Sequence, residues 1–174
     1  MARNIEIKAR IQSIESLIPK AAALSNRGPI EIDQDDTFFR CDNGRLKLRS
    51  FTDGKGELIF YRRADRPGPK ESFYIRTSTS EPHNLRESLS HAYGQVGRVR
   101  KKRTLFLIGR TRVHLDSVDG LGYFLELEVV LVDNESVEVG IHEADELMQR
   151  LGIEPPQLIE GAYIDLLARQ GVPR

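Results

Sequence analysis

Two carboxylates stand two residues apart in the most apolar stretch of the chain, Glu126 and Glu128 within Phe124-Leu-Glu-Leu-Glu-Val-Val-Leu-Val132. In an extended strand with a rise of about 3.4 Å per residue they project from one face, about 7 Å apart. No base lies nearby in sequence to neutralise them, because Val113 to Gln149 holds ten acidic residues and no Lys or Arg. The preceding stretch is the opposite: Arg98 to Arg112 carries seven basic residues and no acidic one. Such segregation requires that the two stretches neutralise each other, or that a ligand and a metal do so.

Hard divalent cations such as Mg²⁺ or Mn²⁺ take carboxylate oxygens and keep waters and substrate phosphates as their remaining ligands. Glu6, Asp116, Glu126 and Glu128 could supply that set if their strands close around a common cavity. Lys8, Lys47, Arg49, Arg63, Lys101, Arg103, Arg110 and Arg112 also fall on strand-like stretches. Cations facing one interior repel each other unless a polyanion intervenes, and Arg suits bidentate phosphate contacts. Carboxylates and many cations on one interior suggest a metal–polyphosphate site. For any single strand the plainer alternative is a sheet with one face on the core and one in water.

The elements that must position these residues follow from period-two alternation. Ile5, Ile7 and Ala9 oppose Asn4, Glu6, Lys8 and Arg10; Arg45 to Arg49 repeats the scheme after the Asp42-Asn43-Gly44 turn. Further strands are expected over Leu58 to Arg63, Ser72 to Thr77, Val99 to Ile108, Arg110 to Asp116 and Phe124 to Val132. Helices are expected from Ser16, as cap, to about Asn26, then one opened by Ser80-Glu81-Pro82 and running through Leu85, Leu89 and Tyr93, with Gly94 as stop. Two more are expected through Val137, Ile141, Ala144, Leu147, Met148 and Leu151, and over about Gly161 to Arg169. With no internal repeat or linker, the expectation is one α+β domain over residues 1–174 with a large antiparallel sheet.

Composition narrows the class. The 174 residues hold 26 Lys and Arg against 26 Asp and Glu, with 39% hydrophobic residues, enough for one core. No apolar run approaches the roughly 20 residues of a membrane span and no leader-like apolar segment follows Met1, so a cytoplasmic protein with no membrane partner is expected. One cysteine, Cys41, cannot form an internal disulfide, and His83, His91, His114 and His142 show no zinc-ligand spacing with it. His114 shares its face with Asp116, where a phosphate contact, proton transfer or a structural hydrogen bond are all open.

Asn4-Ile-Glu-Ile-Lys8 resembles the Glu-x-Glu-x-Lys signature of the CYTH superfamily, which takes its name from class IV adenylyl cyclases and thiamine triphosphatase. The similarity continues in order through Asp36-Thr-Phe-Phe39, Gly44-Arg-Leu-Lys-Leu-Arg49, Tyr61-Arg-Arg63, Lys70, Lys101-Lys-Arg103 and His114-Leu-Asp-Ser-Val-Asp-Gly-Leu-Gly122, into Phe124-Leu-Glu-Leu-Glu128. It is nearest the adenylyl-cyclase-like branch. The resemblance implies an eight-stranded antiparallel closed β-barrel, a triphosphate tunnel whose polar faces line the lumen, with helices packed outside. It implies Mg²⁺ or Mn²⁺ on Glu6, Asp116, Glu126 and Glu128. It implies triphosphate on Lys8, Lys47, Arg49, Arg63, Lys101 and Arg103, with Arg110 and Arg112 as further candidates and Tyr61 and Lys70 at the organic end. Glu6, Lys8, Arg103 and Asp116 are the expected catalytic set. The chain departs from the signature at Asn4, a neutral amide in place of its first acid and a weaker metal donor.

Two reactions share these residues: cyclisation of ATP to cyclic AMP with release of pyrophosphate, and hydrolysis of an inorganic or organic triphosphate. The first is favoured by the branch. A non-catalytic polyphosphate binder has little use for Glu126 and Glu128. A nucleic-acid strip over Arg98 to Arg112 would be repelled by the acidic strand that follows and lacks interleaved aromatics apart from Phe106, so no nucleic-acid partner is expected. A symmetric homodimer is the default assembly.

Overall fold

The computed structural model describes residues 2–171. Its strands are β1 (Ala2–Ile11), β2 (Arg27–Phe39), β3 (Arg45–Ser50), β4 (Gly56–Arg63), β5 (Lys70–Thr79), β6 (Gln95–Ile108), β7 (Thr111–Val118) and β8 (Gly122–Val130). The helices are α1 (Ile18–Leu24), α2 (Pro82–Tyr93), α3 (Val137–Arg150) and α4 (Tyr163–Gly171). The strands pair in the order β1-β5-β4-β3-β2-β6-β7-β8, and β8 returns to β1, so the sheet closes into an antiparallel barrel. Closure satisfies every edge and gives each strand an inner and an outer face.

The hydrophobic core lies on the outside of this wall. Ile5, Ile7, Leu115, Leu125 and Leu127 point outward and pack with Ala144, Leu147, Met148 and Leu151 of the amphipathic α3 and with Ala21 of α1. Gly140 lets α3 approach closely, because a Cβ there would stand 2.5 Å from Ile5 Cγ1. The inner faces are consequently free to be polar. A second cluster of Phe38, Ile59, Tyr61, Val99, Phe124, Tyr163 and Ile164 fills one end of the barrel, with α4 as its cap.

Several boundaries differ from expectation for local reasons. β2 is an eighth strand that alternation did not reveal, since its inward set Ile32, Gln34, Asp36 and Phe38 mixes apolar and polar residues. α1 starts at Ile18 with Leu17 at its cap position; the Ser16 hydroxyl donates to the Ser13 carbonyl at 3.0 Å instead of capping. β7 begins at Thr111, leaving Arg110 in the turn. The β7–β8 connection turns at Gly120, whose φ of +78° favours glycine. Among the described residues no helix is long and apolar enough to cross a membrane.

Candidate functional site

Alternate residues of the strands enclose a cavity of about 250 Å³ lined by eight Lys and Arg side chains against five carboxylates. Lys8, Lys47, Arg49, Arg63, Lys101, Arg103 and Arg112 all reach it, from β1, β3, β4, β6 and β7. So many cations can coexist only because buried acids hold them in place. Asp36 of β2, 1% exposed, accepts from Arg49 Nε and Nη2 at 2.8 and 2.9 Å and from Lys101 Nζ at 3.0 Å, with Lys47 Nζ at 3.3 Å. Burial pushes the Asp36 carboxyl up, but Arg49, Lys101 and Lys47 outweigh it and hold it well below the carboxylate range. Burial lowers the lysines in turn. Lys8 and Lys47 both fall to about 7, with neighbouring Arg63 and Arg49 adding to desolvation while Glu126 and Asp36 oppose it.

The acids gather on the β1–β8–β7 side. Glu6 lies directly opposite Glu128, and Glu126 directly opposite both Lys8 and His114. Arg63 Nη1 donates to Glu6 at 2.8 Å, Arg103 Nη2 lies 3.3 Å from Glu126, and Arg112 Nε lies 3.8 Å from Glu128. Lys8 and Arg103 outweigh burial at Glu126 and keep it well below its usual range. Glu128 moves the other way: burial, then the charges of Glu6 and Glu126, raise its pKa.

One oxygen each from Glu126 and Glu128 and one nitrogen of His114 lie within 4.8 Å of one another. Asn4 Oδ1 and His114 Nδ1 are buried without a hydrogen-bond partner among the described residues. Buried polar atoms are nearly always paired. Two facing carboxylates, one of them with a raised pKa, beside buried atoms that lack partners therefore fit a divalent cation. Burial and the Arg103 charge push His114 well below its ordinary pKa, so its ring is neutral.

α4 and the loop before it seal one end. Arg63 Nη2 and Lys8 Nζ donate to the Gly161 carbonyl at 2.8 and 3.3 Å, and Lys8 Nζ sits 3.8 Å from the Tyr163 ring centre. The Tyr163 hydroxyl donates to Asp116 at 2.7 Å. The other end is the mouth. Beyond Lys101 and Arg103 on β6 comes Leu105, beyond Gln34 on β2 comes Ile32, and beyond Arg49 comes Phe51, all three half-buried and lining the cavity.

Of the residues singled out in the sequence, Glu6, Lys8, Lys47, Arg49, Arg63, Lys101, Arg103, Arg112, Glu126 and Glu128 meet around this cavity. Asp116 does not line it: fully buried, it takes Arg103 Nε and Nη2 at 2.7 and 2.8 Å as well as Tyr163, so it orients the Arg103 fork from behind. Arg110 is not brought to the cavity, because it precedes the alternating strand; it pairs outside with Glu135 and Glu143 at 2.6 and 2.8 Å. Lys70 donates to the Arg66 carbonyl and Tyr61 belongs to the sealed end, so neither stands at the mouth. Asp36 was not among the candidates. Its only sequence signal was the Asp36-Thr-Phe-Phe39 segment, because the β2 alternation is masked.

Comparison with known proteins agrees with this geometry. The family profile described as CYTH domain matches residues 2–163. The chain is 24% identical over 171 residues to adenylate cyclase CyaB of Aeromonas hydrophila, covering 92% of this chain and 86% of that protein. A solved Pyrococcus horikoshii structure superposes with a TM-score of 0.82 at 23% identity, covering 94% of this chain and 98% of the other. The structure of HpAC1 from Hippeastrum, described as revealing a dominant triphosphatase activity, superposes with a TM-score of 0.67 at 18% identity, covering 98% and 97%.

Proposed function

Because this chain belongs to the CYTH domain family, we propose that it is a divalent-metal-dependent enzyme acting on an organic triphosphate, as an adenylate cyclase that converts ATP to cyclic AMP and pyrophosphate. The observation that carries this reading is the union, in one cavity, of seven phosphate-suited cations, the Glu6–Glu126–Glu128 corner and an apolar mouth. A bare inorganic triphosphate has no use for Ile32, Leu105 and Phe51, whereas a nucleoside does. The likeness to an adenylate cyclase over most of the chain favours cyclisation as the reaction.

In cyclisation the ribose 3′-hydroxyl attacks the α-phosphorus, a new O3′–P bond forms, the bond from the α-phosphorus to the bridging oxygen of pyrophosphate breaks, and the hydroxyl proton ends on the pyrophosphate product. Charge builds on the equatorial and leaving oxygens, so positioned cations do most of the work. Lys47, Arg49 and Lys101, set by Asp36, would grip the departing pyrophosphate. Arg103, set by Asp116, presents its remaining donor edge near Glu126, where the attacked phosphate would lie. Lys8 and Arg63 close the end next to α4 and exclude water there. A divalent ion held by Glu126 and Glu128, with Glu6 beside them, would supply Lewis acidity to the phosphate chain and lower the pKa of the attacking hydroxyl. This reading places the enzyme in the cytoplasm.

A second reading has its own support. The same cavity could direct water at the terminal phosphate, and a CYTH-like fold neighbour is described by its triphosphatase activity. Incubation with ATP, thiamine triphosphate and tripolyphosphate, each with Mg²⁺ or Mn²⁺, followed by phosphorus NMR, separates them. Cyclic AMP with pyrophosphate supports the cyclase; orthophosphate replaces it with the triphosphatase; tight binding without turnover rejects both.

A further inference from the structure

We propose that His114 is itself a ligand of the divalent metal, forming with Glu126 and Glu128 a mixed nitrogen and oxygen site that prefers Mn²⁺-like cations to Mg²⁺. The inference rests on the reading of the acidic corner as a metal site and goes beyond it by naming a non-carboxylate ligand and the selectivity that follows.

His114 stands directly across β7 and β8 from Glu126. Its Nδ1 lies 3.7 Å from Glu128 Oε1, beyond hydrogen-bond distance, so the two atoms face each other without satisfying each other. The residue is 4% exposed and Nδ1 has no partner among the described residues, which is an expensive arrangement for a purely structural histidine. A cation within reach of the three donor atoms, all inside 4.8 Å, removes the deficit at His114 and the repulsion at Glu128 together.

The chemistry of the donors sets the preference. Each acid of the corner already has an arginine near it, Arg63 at Glu6, Arg103 at Glu126 and Arg112 at Glu128. The position next in register along β1 is the neutral Asn4, whose Oδ1 is also buried and unpartnered among the described residues. A site of reduced negative charge with a neutral nitrogen donor suits Mg²⁺ poorly, because that ion favours carboxylate and water oxygens. Imidazole is a good ligand for first-row transition divalents, and Mn²⁺ accepts both donor types.

The test uses the full chain stripped of metal and titrated with Mn²⁺ alone. Pulsed electron paramagnetic resonance should show the nuclear coupling of a directly bound imidazole ¹⁴N, and labelling the histidines with ¹⁵N should change it as a bound nitrogen requires. In His114→Gln the coupling should vanish. Mn²⁺ affinity should fall about tenfold or more, while Mg²⁺ affinity changes little. Mn²⁺ bound without nitrogen coupling, or bound equally tightly by a folded His114→Gln, overturns the ligand assignment while leaving the acidic corner as the metal site. Failure of the native chain to bind Mn²⁺ overturns both. Because the isotope measurement is made on the unaltered chain, it decides the matter even where His114→Gln does not fold.

Discussion

Glu6 of β1 and Glu128 of β8 stand directly opposite each other across the barrel wall. Like charges in that position destabilise a sheet. Only Glu6 has a close partner, Arg63 at 2.8 Å; Glu128 has Arg112 at 3.8 Å and the unsatisfied His114. The barrel thus holds one carboxylate in a state that costs free energy until a cation arrives.

Metal should therefore stabilise the fold through Glu128. Mg²⁺ or Mn²⁺ should raise the melting temperature of the native chain, and chelation should reverse the rise. Glu128→Gln should melt higher than native without metal at pH 7 to 8, show a much smaller metal-induced rise and lose turnover. The sign follows from the raised pKa. Folding then penalises the ionised form, so the cost is absent below the unfolded-state pKa and grows as pH rises through the folded one. The advantage of the variant should disappear by about pH 4. An equal metal-induced rise in both proteins would remove Glu128 from the site.

Asp36 carries the opposite charge logic. Asp36→Asn keeps the shape but leaves Arg49, Lys101 and Lys47 facing one another in a buried space. Removal of one member of a buried ion cluster costs about 3 kcal/mol. The metal-free, ligand-free variant should melt several degrees lower, and tripolyphosphate should restore more stability to it than it adds to the native chain. If added polyanion stabilised the variant no more than the native protein, Asp36 would not be organising the phosphate-binding cations.

Much of this site was legible because its residues sit at period two. Glu126 with Glu128, Lys47 with Arg49 and Lys101 with Arg103 fixed which faces were polar, and the N-terminal signature supplied the barrel. Alternation says which face a residue joins and not how far along the barrel it lies. Asp116 shares a face with His114, yet it falls behind Arg103, and Tyr61 falls at the end sealed by α4. Arg110 lies one residue before the strand begins at Thr111, where the period has no meaning. Asp36 was hidden for a different reason: one wall of the lumen is partly apolar, so β2 displays no contrast between its faces.

Lys47 should make binding pH-dependent. Burial pushes its pKa down to about 7 from the ordinary 10.5, so between those values the unfolded chain holds a proton that the folded chain lacks. Stability contributed at this position therefore rises with pH across that window, and Lys47→Met should stabilise the ligand-free protein at pH 6 to 7 but not near pH 10.5. A bound triphosphate reverses the depression by replacing repulsion with attraction. Calorimetric titration at pH 8 in buffers of different ionisation enthalpy should show proton uptake with tripolyphosphate, less of it in Lys47→Met and little at pH 6. Absence of uptake at pH 8 would show that the phosphates do not reach Lys47.

The mouth should decide which triphosphates are used. Phe51 follows Arg49 on the wall opposite the sealed end, with Ile32 and Leu105 lining the same opening. A planar organic group leaving the cation cluster in that direction meets an aromatic ring, a contact of about 1 to 2 kcal/mol by analogy with base stacking. Phe51→Ala should therefore raise KM for ATP about five- to thirtyfold and leave KM for tripolyphosphate nearly unchanged. Steady-state measurement of both substrates on one preparation separates this from a general loss of folding, which would lower the active fraction for both alike. A parallel rise in the two KM values would mean that Phe51 supports the phosphate cluster, and the organic end would have to be placed toward α4, against the Gly161 carbonyl and the Tyr163 ring.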